Sequence, residues 1–194
     1  MSMFAIIGIV IAFLIIVLVI YGVSIYNNLV RLKNNVKNAW ANIDVLLKQR
    51  HDELPKLIAA CKEYKNFEQE TLEKVTEARG QAESARTSGN VGAIGASETV
   101  LRQAVGGLFA VAENYPDLKT NTSFMQLQGR ITDLETQISD RREYYNDTVN
   151  IYNIGIQQFP SSVIAKRHHF EAATLLEFSK DETADVDVGQ MFKN

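Results

Sequence analysis

The chain opens with an unbroken apolar run. Residues 4–26 read FAIIGIVIAFLIIVLVIYGVSIY, and every Lys, Arg, Asp and Glu lies after them. A helix of about 23 residues at ~1.5 Å each is roughly 34 Å long, which suffices to cross a ~30 Å hydrocarbon core. Unlike in a signal peptide, no Lys or Arg precedes the run, and Tyr-Asn-Asn-Leu at its end is a poor cleavage site. The pattern predicts a transmembrane helix at 4–26 after a short extracytoplasmic N-terminus, residues 1–3.

Beyond this run, apolar residues recur at spacings of three and four, which is the pattern of an amphipathic helix. The apolar stripe consists of Leu29, Leu32, Val36, Trp40, Ile43 and Leu47. No Gly or Pro separates it from the apolar run, so the transmembrane helix is predicted to continue into it. Pro55 either kinks this helix or starts a new one with Asp52 as its N-cap. We favour the kink, because no turn residues precede Pro55, and expect helix to about Ser84.

Three further helices are expected in the rest of the chain. Residues 87–95 (TSGNVGAIG) are predicted to form a loop from their Ser, Asn and Gly content. A second helix then covers about 93–114, a third begins near 121–123, and a last one covers about 163–178. The third helix has a coiled-coil-like seam, formed by Phe124, Leu127, Ile131, Leu134, Ile138, Tyr145, Val149, Tyr152, Ile156 and Phe159.

The predicted fold class is all-α, with an N-terminal transmembrane helix that continues into an antiparallel four-helix-type bundle of long, kinked helices over residues 27–178. The expected bundle core includes Trp40, Ile43, Leu108, Leu134, Tyr145, Tyr152 and Phe159. Arg141 or Arg142 interrupts the seam of the third helix. A charge at that depth needs a carboxylate partner, for which the candidates are Glu135, Glu143 and Asp147. Residues 179–194 form a polar tail.

The charge next to the apolar run predicts its orientation in the membrane. No cation precedes the run, whereas Arg31, Lys33, Lys37, Lys48 and Arg50 follow it, opposed only by Asp44. The positive-inside rule therefore places the N-terminus outside the cell (inner) membrane and the bundle in the cytosol. The expected membrane-interface residues are Tyr21, Tyr26, Arg31 and Lys33. The alternative is that the two cations lie on a solvated helix face.

Little in the sequence points to catalysis or cofactor binding. The net charge of −3 gives no basic excess for a nucleic acid, and the single Cys61 excludes an intrachain disulfide. His51 and the pair His168 and His169 lack the spacing that places metal ligands on one helix face. The glycines of 87–95 follow no predicted strand and precede no Lys-Ser or Lys-Thr pair, so they do not form a phosphate loop. We predict no enzyme, no cofactor and no metal site.

Tyr144, Tyr145, Asn146 and Asp147, together with Tyr115, form a polar and aromatic group. We interpret it as structural, with rings packed in the seam and hydroxyl groups bonded at its edges.

Three sequence blocks resemble the LemA family. They are AWANIDV at 39–45, AVAENYPDLK at 110–119, and the YND, YN and FP elements of 145–160. The similarity covers nearly the whole chain from Tyr26 to Phe178. It implies a bacterial-type, single-span membrane protein with a helical bundle, and it brings no agreed biochemical activity. The family's associations are with membrane shaping and signalling.

Two functions are compatible with these features. The first is a membrane-anchored scaffold, whose partners are the lipid bilayer and further copies of the chain. The alternative is a signalling adaptor that recruits an unidentified protein through the bundle surface or an interaction tail. The apolar residues of that tail are Val186, Val188, Met191 and Phe192.

Overall fold

The computed structural model describes residues 3–64 and 67–177, and every regular element in these ranges is a helix. The helices are α1 (Met3–Lys62), α2 (Gln69–Ser88), α3 (Val91–Ala112), α4 (Pro116–Lys119), α5 (Thr122–Gln157) and α6 (Ser161–Arg167). The all-helical class is therefore confirmed. The described residues form two compact units. We call them the span unit (3–42 with 143–174) and the core unit (43–142 with 175–177).

Helix α1 continues from the apolar run into the polar sequence without interruption. It is 60 residues long and passes through Pro55, which neither ends it nor starts a new helix. It ends at Lys62, however, and not near Ser84 as the sequence predicted. The amide of Phe67 donates to the carbonyl of Tyr64 (2.9 Å) in the connection to α2. Phe67 is buried against Tyr115, with ring centroids 5.2 Å apart. The break between α1 and α2 therefore coincides with tertiary packing, although no Gly or Pro lies there in the sequence.

The connection between α2 and α3 is much shorter than the loop predicted at 87–95. Gly89 ends α2 with a left-handed φ of 69°, a conformation that glycine adopts without steric cost. Asn90 then caps α3, because its Oδ1 accepts a hydrogen bond from the amide of Ala93 (3.1 Å). The loop prediction was wrong for most of its length, since Gly92 and Gly95 lie inside α3. Helices α2 and α3 pack against each other.

In the span unit, α5 lies along α1. The rings of Trp40 and Tyr145 are 5.5 Å apart. Further along α5, a Cβ added to Gly155 would lie 2.9 Å from Cδ1 of Leu32, so this close approach favours glycine. Beyond α5, Cδ1 of Ile164 lies 3.9 Å from the position of a Cβ on Gly22. The contact point on α1 thus moves toward the apolar run as the chain proceeds from α5 into α6.

The C-terminal part of the described chain departs from the prediction. Helix α5 ends at Gln157, and α6 ends at Arg167 instead of continuing to about 178. The residues from Phe170 to Glu177 have no regular secondary structure. We call residues 170–174, which belong to the span unit, the strap.

Six of the seven predicted core residues are buried or half-buried within their unit. Ile43, Leu108 and Leu134 in the core unit, and Tyr145 and Tyr152 in the span unit, are each at most 4% exposed, and Trp40 is half-buried. Phe159 is 84% exposed, so its placement in the core was wrong. The reason is that α5 ends at Gln157, so the helical spacing that aligned Phe159 with the seam no longer applies.

Candidate membrane-interface site

Helix α1 has a long exposed apolar surface in the span unit. The large apolar side chains from Met3 to Val23 are 45–80% exposed. Among the described residues, α1 is the helix that is long and apolar enough to cross a membrane. Exposing this surface to water costs about 25 cal/mol per Å², whereas a hydrocarbon core accommodates it. The anchor predicted at 4–26 therefore matches an exposed, uninterrupted helix.

The predicted interface residues follow one another along the end of this surface. Tyr21 and Tyr26 are 54% and 38% exposed. Arg31 is exposed, and its Nη2 donates to Oδ1 of Asn28 (2.7 Å). Lys33 has its Nζ 5.6 Å from the ring centroid of Phe170, a cation–π distance. Aromatic residues followed by cations suit the boundary between hydrocarbon and headgroups.

The structure adds an aromatic cluster that the sequence interpretation missed. The ring of Tyr26 lies 4.8 Å from that of His168 and 5.9 Å from that of Phe170. The sequence excludes His168 as a metal ligand by its spacing without giving it another contact, and it places Phe170 in the last predicted helix. The signal that could have revealed the cluster is the run Lys-Arg-His-His-Phe at 166–170, in which cations and aromatic rings follow one another.

Side chains of α5 hold the strap by its backbone. The hydroxyl of Tyr152 donates to the carbonyl of Glu171 (2.8 Å), and that of Tyr145 donates to the carbonyl of Thr174 (2.9 Å). Asn153 exchanges two hydrogen bonds of 2.9 Å with the amide and carbonyl of Ala173. Burial raises the pKa of both tyrosines, and the charge of Glu171 raises that of Tyr152 further. Both hydroxyl groups therefore remain protonated donors at neutral pH.

Asn153→Ala is expected to lower the free energy of unfolding by about 1 kcal/mol, because the amide and carbonyl of Ala173 lose their partners. Thermal or urea unfolding of the full chain in mild detergent measures this change. Asn150→Ala is the matched control, since Asn150 is an exposed residue of the same helix. Equal stability of the two variants would contradict a structural role for the strap contacts.

In the core unit, a buried cation lies at an unpredicted position. Arg50 of α1 is 2% exposed and forms ion pairs with Glu98 of α3 and Glu135 of α5. The expected buried charge was Arg141 or Arg142, of which Arg141 is exposed and Arg142 is half-buried. Glu135, one of the predicted carboxylate partners, does bind an arginine, although a different one. The sequence interpretation had assigned Arg50 to the cations after the transmembrane run, because its helix face could not be told from charge alone.

The histidine and cysteine candidates have structural environments. Glu53 pairs with Lys56 and Arg130, at 3.0 Å each, and so does not form a site with His51. Burial raises the pKa of Cys61 to about 12, which keeps the thiol protonated. Within residues 3–64 and 67–177, no group of three or more His, Cys, Asp or Glu side chains could hold a metal ion. As for the aromatic candidates, Tyr144 is exposed and Tyr115 packs on Phe67.

Stability is expected to fall as the pH drops below about 6.5, because of His51. Burial, followed by the charge of Arg79, lowers the pKa of His51 in the folded chain below its ordinary value of 6.5. The unfolded chain therefore binds the proton more tightly, so the contribution of His51 is complete above 6.5 and is lost toward its folded pKa. Urea unfolding between pH 5 and 7.5 tests this, and His51→Gln should make the pH dependence weaker. An unchanged slope in that variant would contradict the assignment.

Comparisons with known proteins agree with this picture of an anchored helical protein. The sequence model of the LemA family matches residues 39–189. Protein LemA of Metamycoplasma hominis is 28% identical over 169 residues, which cover 85% of this chain and 74% of that protein. Magnetosome protein MamQ 2 of Paramagnetospirillum magneticum is 21% identical over 191 residues, covering 87% of this chain and 70% of the relative. Magnetosome protein MamQ of Magnetospirillum gryphiswaldense is 20% identical over 165 residues, with coverages of 72% and 60%.

Proposed function

Since the chain belongs to the LemA family, as its sequence blocks predicted, we propose that it is a membrane-anchored structural scaffold. In this proposal, copies self-associate at the cell membrane and shape or organise the bilayer. The protein acts through its surfaces and performs no catalysis. The comparisons agree with a membrane-associated protein, and two of the relatives described above are named as magnetosome proteins.

The observation that carries the scaffold proposal is the continuity of α1. The apolar run and the stretch around Trp40 belong to one helix without a break. Leu29 and Ala39 are buried in the span unit, and Trp40 contacts Tyr145. Because an uninterrupted helix is stiff over this length, contacts between neighbouring copies would be transmitted to the membrane span. A flexible linker at this position would prevent contacts between copies from being transmitted to the membrane span.

The proposal includes an orientation and a packing arrangement. The cations that follow the apolar run, together with Lys166 and Arg167, favour a cytosolic location for both units. The short connection through Gly89 and Asn90 supports an antiparallel bundle, since helices joined by so few residues pack side by side in opposite directions.

The mass of the full-length chain in nanodiscs and in mild detergent tests the scaffold. We expect an assembly of fixed copy number by light scattering and single-particle microscopy. A variant in which residues 4–26 are replaced by polyleucine of equal length is the control, because it keeps the anchor and removes the native span sequence. A strictly monomeric chain at every accessible density would rule the proposal out.

A groove between α2 and α3 supports a second candidate, the signalling adaptor. Its volume is about 620 Å³, and its apolar lining comprises Ala78, Val100, Ala104, Gly107 and Val111. Val100 is 46% exposed, so an extended segment of a partner could cover it. Val100→Glu should then remove a partner that co-purifies with the wild-type chain, whereas Val45→Glu, at an exposed valine of α1, should not.

The interaction tail belongs to the same alternative and remains a prediction. Val186, Val188, Met191 and Phe192 lie outside the described residues. Deletion of residues 180–194 tests this version. A partner that still co-purifies after the deletion would contradict a role for the tail.

A further inference from the structure

The chain passes from α5 into α6 close to the apolar run of α1, within the span unit. We call residues 157–163 the α5–α6 corner. Before it, Tyr145 contacts Trp40 and Gly155 lies against Leu32. After it, Ile164 lies against Gly22, which belongs to the apolar run. At ~1.5 Å per residue, Gly22 is about 6 Å deeper along α1 than Tyr26. The corner therefore lies at the level where α1 enters the hydrocarbon.

The corner presents large apolar side chains that no described residue covers. Phe159 is 84% exposed and Val163 is 61% exposed. Soluble proteins seldom leave a Phe so fully in water, and neighbouring exposed apolar residues indicate a contact surface. This surface lies at the same level as the exposed apolar side chains of α1, for which a bilayer is the expected surroundings.

The residues that follow the corner are positively charged. Lys166 and Arg167 end α6 and are both exposed. From Thr148 to Phe170 the chain contains no carboxylate side chain, and α1 contains none before Asp44. Arg31 and Lys33, which follow Tyr26 on α1, add further cations. A short segment with exposed apolar residues beside cations is typical of a peptide that lies in the surface of an anionic membrane.

We propose that the α5–α6 corner is a second membrane contact of this chain. Phe159 and Val163 insert at the boundary between headgroups and acyl chains, while Lys166 and Arg167 bind the phosphate groups of anionic phospholipids. The bilayer thus contacts the span unit through α1 and through the corner. This contact does not depend on self-association, because every residue involved belongs to one copy.

The depth of a spin label at position 159 tests the contact in the full-length chain. The label is introduced as Phe159→Cys in a Cys61→Ala background, and the protein is placed in vesicles of phosphatidylcholine and phosphatidylglycerol. We expect collisions with oxygen, relative to a water-soluble nickel complex, to be on the order of threefold higher than for a label at Tyr144. Tyr144 is a matched control, since it is an aromatic residue of α5 in the same unit that is 54% exposed and lies next to Tyr145, which contacts Trp40 beyond the interface residues of α1.

Two further measurements separate lipid from other partners. The charge reversal Lys166→Glu with Arg167→Glu should move the label at 159 toward water, and an unchanged depth would overturn the role of the cations. Nanodiscs that hold a single copy should preserve the depth at 159. A label that enters an apolar environment only when several copies are present would show that a second copy covers the corner, and this would overturn the proposal. A label in water under all conditions would overturn it as well, whatever the copy number of the assembly.

Discussion

Arg50→Met is expected to lower the free energy of unfolding by about 3–5 kcal/mol, the largest effect among the substitutions considered. The guanidinium is 2% exposed and pairs with two carboxylates. Its removal leaves the charge of Glu98, which is 5% exposed, without a counterion in a low-dielectric environment. The desolvation penalty of that carboxylate is then no longer offset. Urea unfolding of the full chain in mild detergent, followed by circular dichroism, measures the loss.

A combined variant identifies the origin of this effect. Arg50→Met with Glu98→Gln and Glu135→Gln removes all three charges, so most of the lost stability should return. Lys74→Ala is the surface control, because Lys74 is exposed and its ion pair with Glu70 is a solvent-exposed contact one turn away; it should leave stability essentially unchanged. If the single Arg50 variant is as stable as the Lys74 variant, the ion pairs do not hold α1, α3 and α5 together.

Gly95→Ala is expected to lower the free energy of unfolding by about 2 kcal/mol, mainly through lost burial of Leu176. A Cβ at position 95 would overlap the backbone carbonyl of Glu177. Backbone atoms cannot rotate aside as a long side chain can, so the segment must leave the surface of α3. Leu176 is 2% exposed there, and it would become accessible to water and to proteases.

Gly106→Ala in the same helix should have the opposite sign. Nothing lies within 4 Å of a Cβ at Gly106, so the substitution only improves helix propensity and should stabilise the chain by about 0.5–1 kcal/mol. Urea unfolding and limited proteolysis near residues 175–177 compare the two variants. Stabilisation by both would mean that Glu177 does not approach α3 in solution.

The helical class and the anchor followed from periodicity, whereas the ends of the helices depended on contacts between distant residues. The apolar run and the stripe from Leu29 to Leu47 predicted one continuous helix, and α1 contains both. The break after Lys62 has no local signal, because a buried Phe67 accompanies it. Conversely, three glycines suggested a long loop at 87–95, although only Gly89 adopts a positive φ. Composition alone does not show which glycine is needed for the turn.

The membrane-interface site could also be predicted only in part: its residues on α1 follow from the local sequence, and its other contacts depend on tertiary structure. Tyr21, Tyr26, Arg31 and Lys33 follow from their position after the apolar run. The contacts of Tyr26 with His168 and Phe170 join residues more than a hundred positions apart, and no periodicity reports such pairs. For the same reason the pairing of Arg50 was missed, since a helical stripe shows which face a residue occupies only when its neighbours are apolar.

The way in which the strap is held has a consequence for how its sequence can diverge. The hydrogen bonds from Tyr145, Tyr152 and Asn153 to residues 171–174 described above all involve main-chain groups of that stretch. Of these four residues, all but Ala173 are exposed. Substitutions in this stretch should therefore be widely tolerated, while proline at position 173 should not, because it lacks the amide that donates to Asn153. Sequence drift among relatives in this stretch would thus be compatible with an unchanged backbone path.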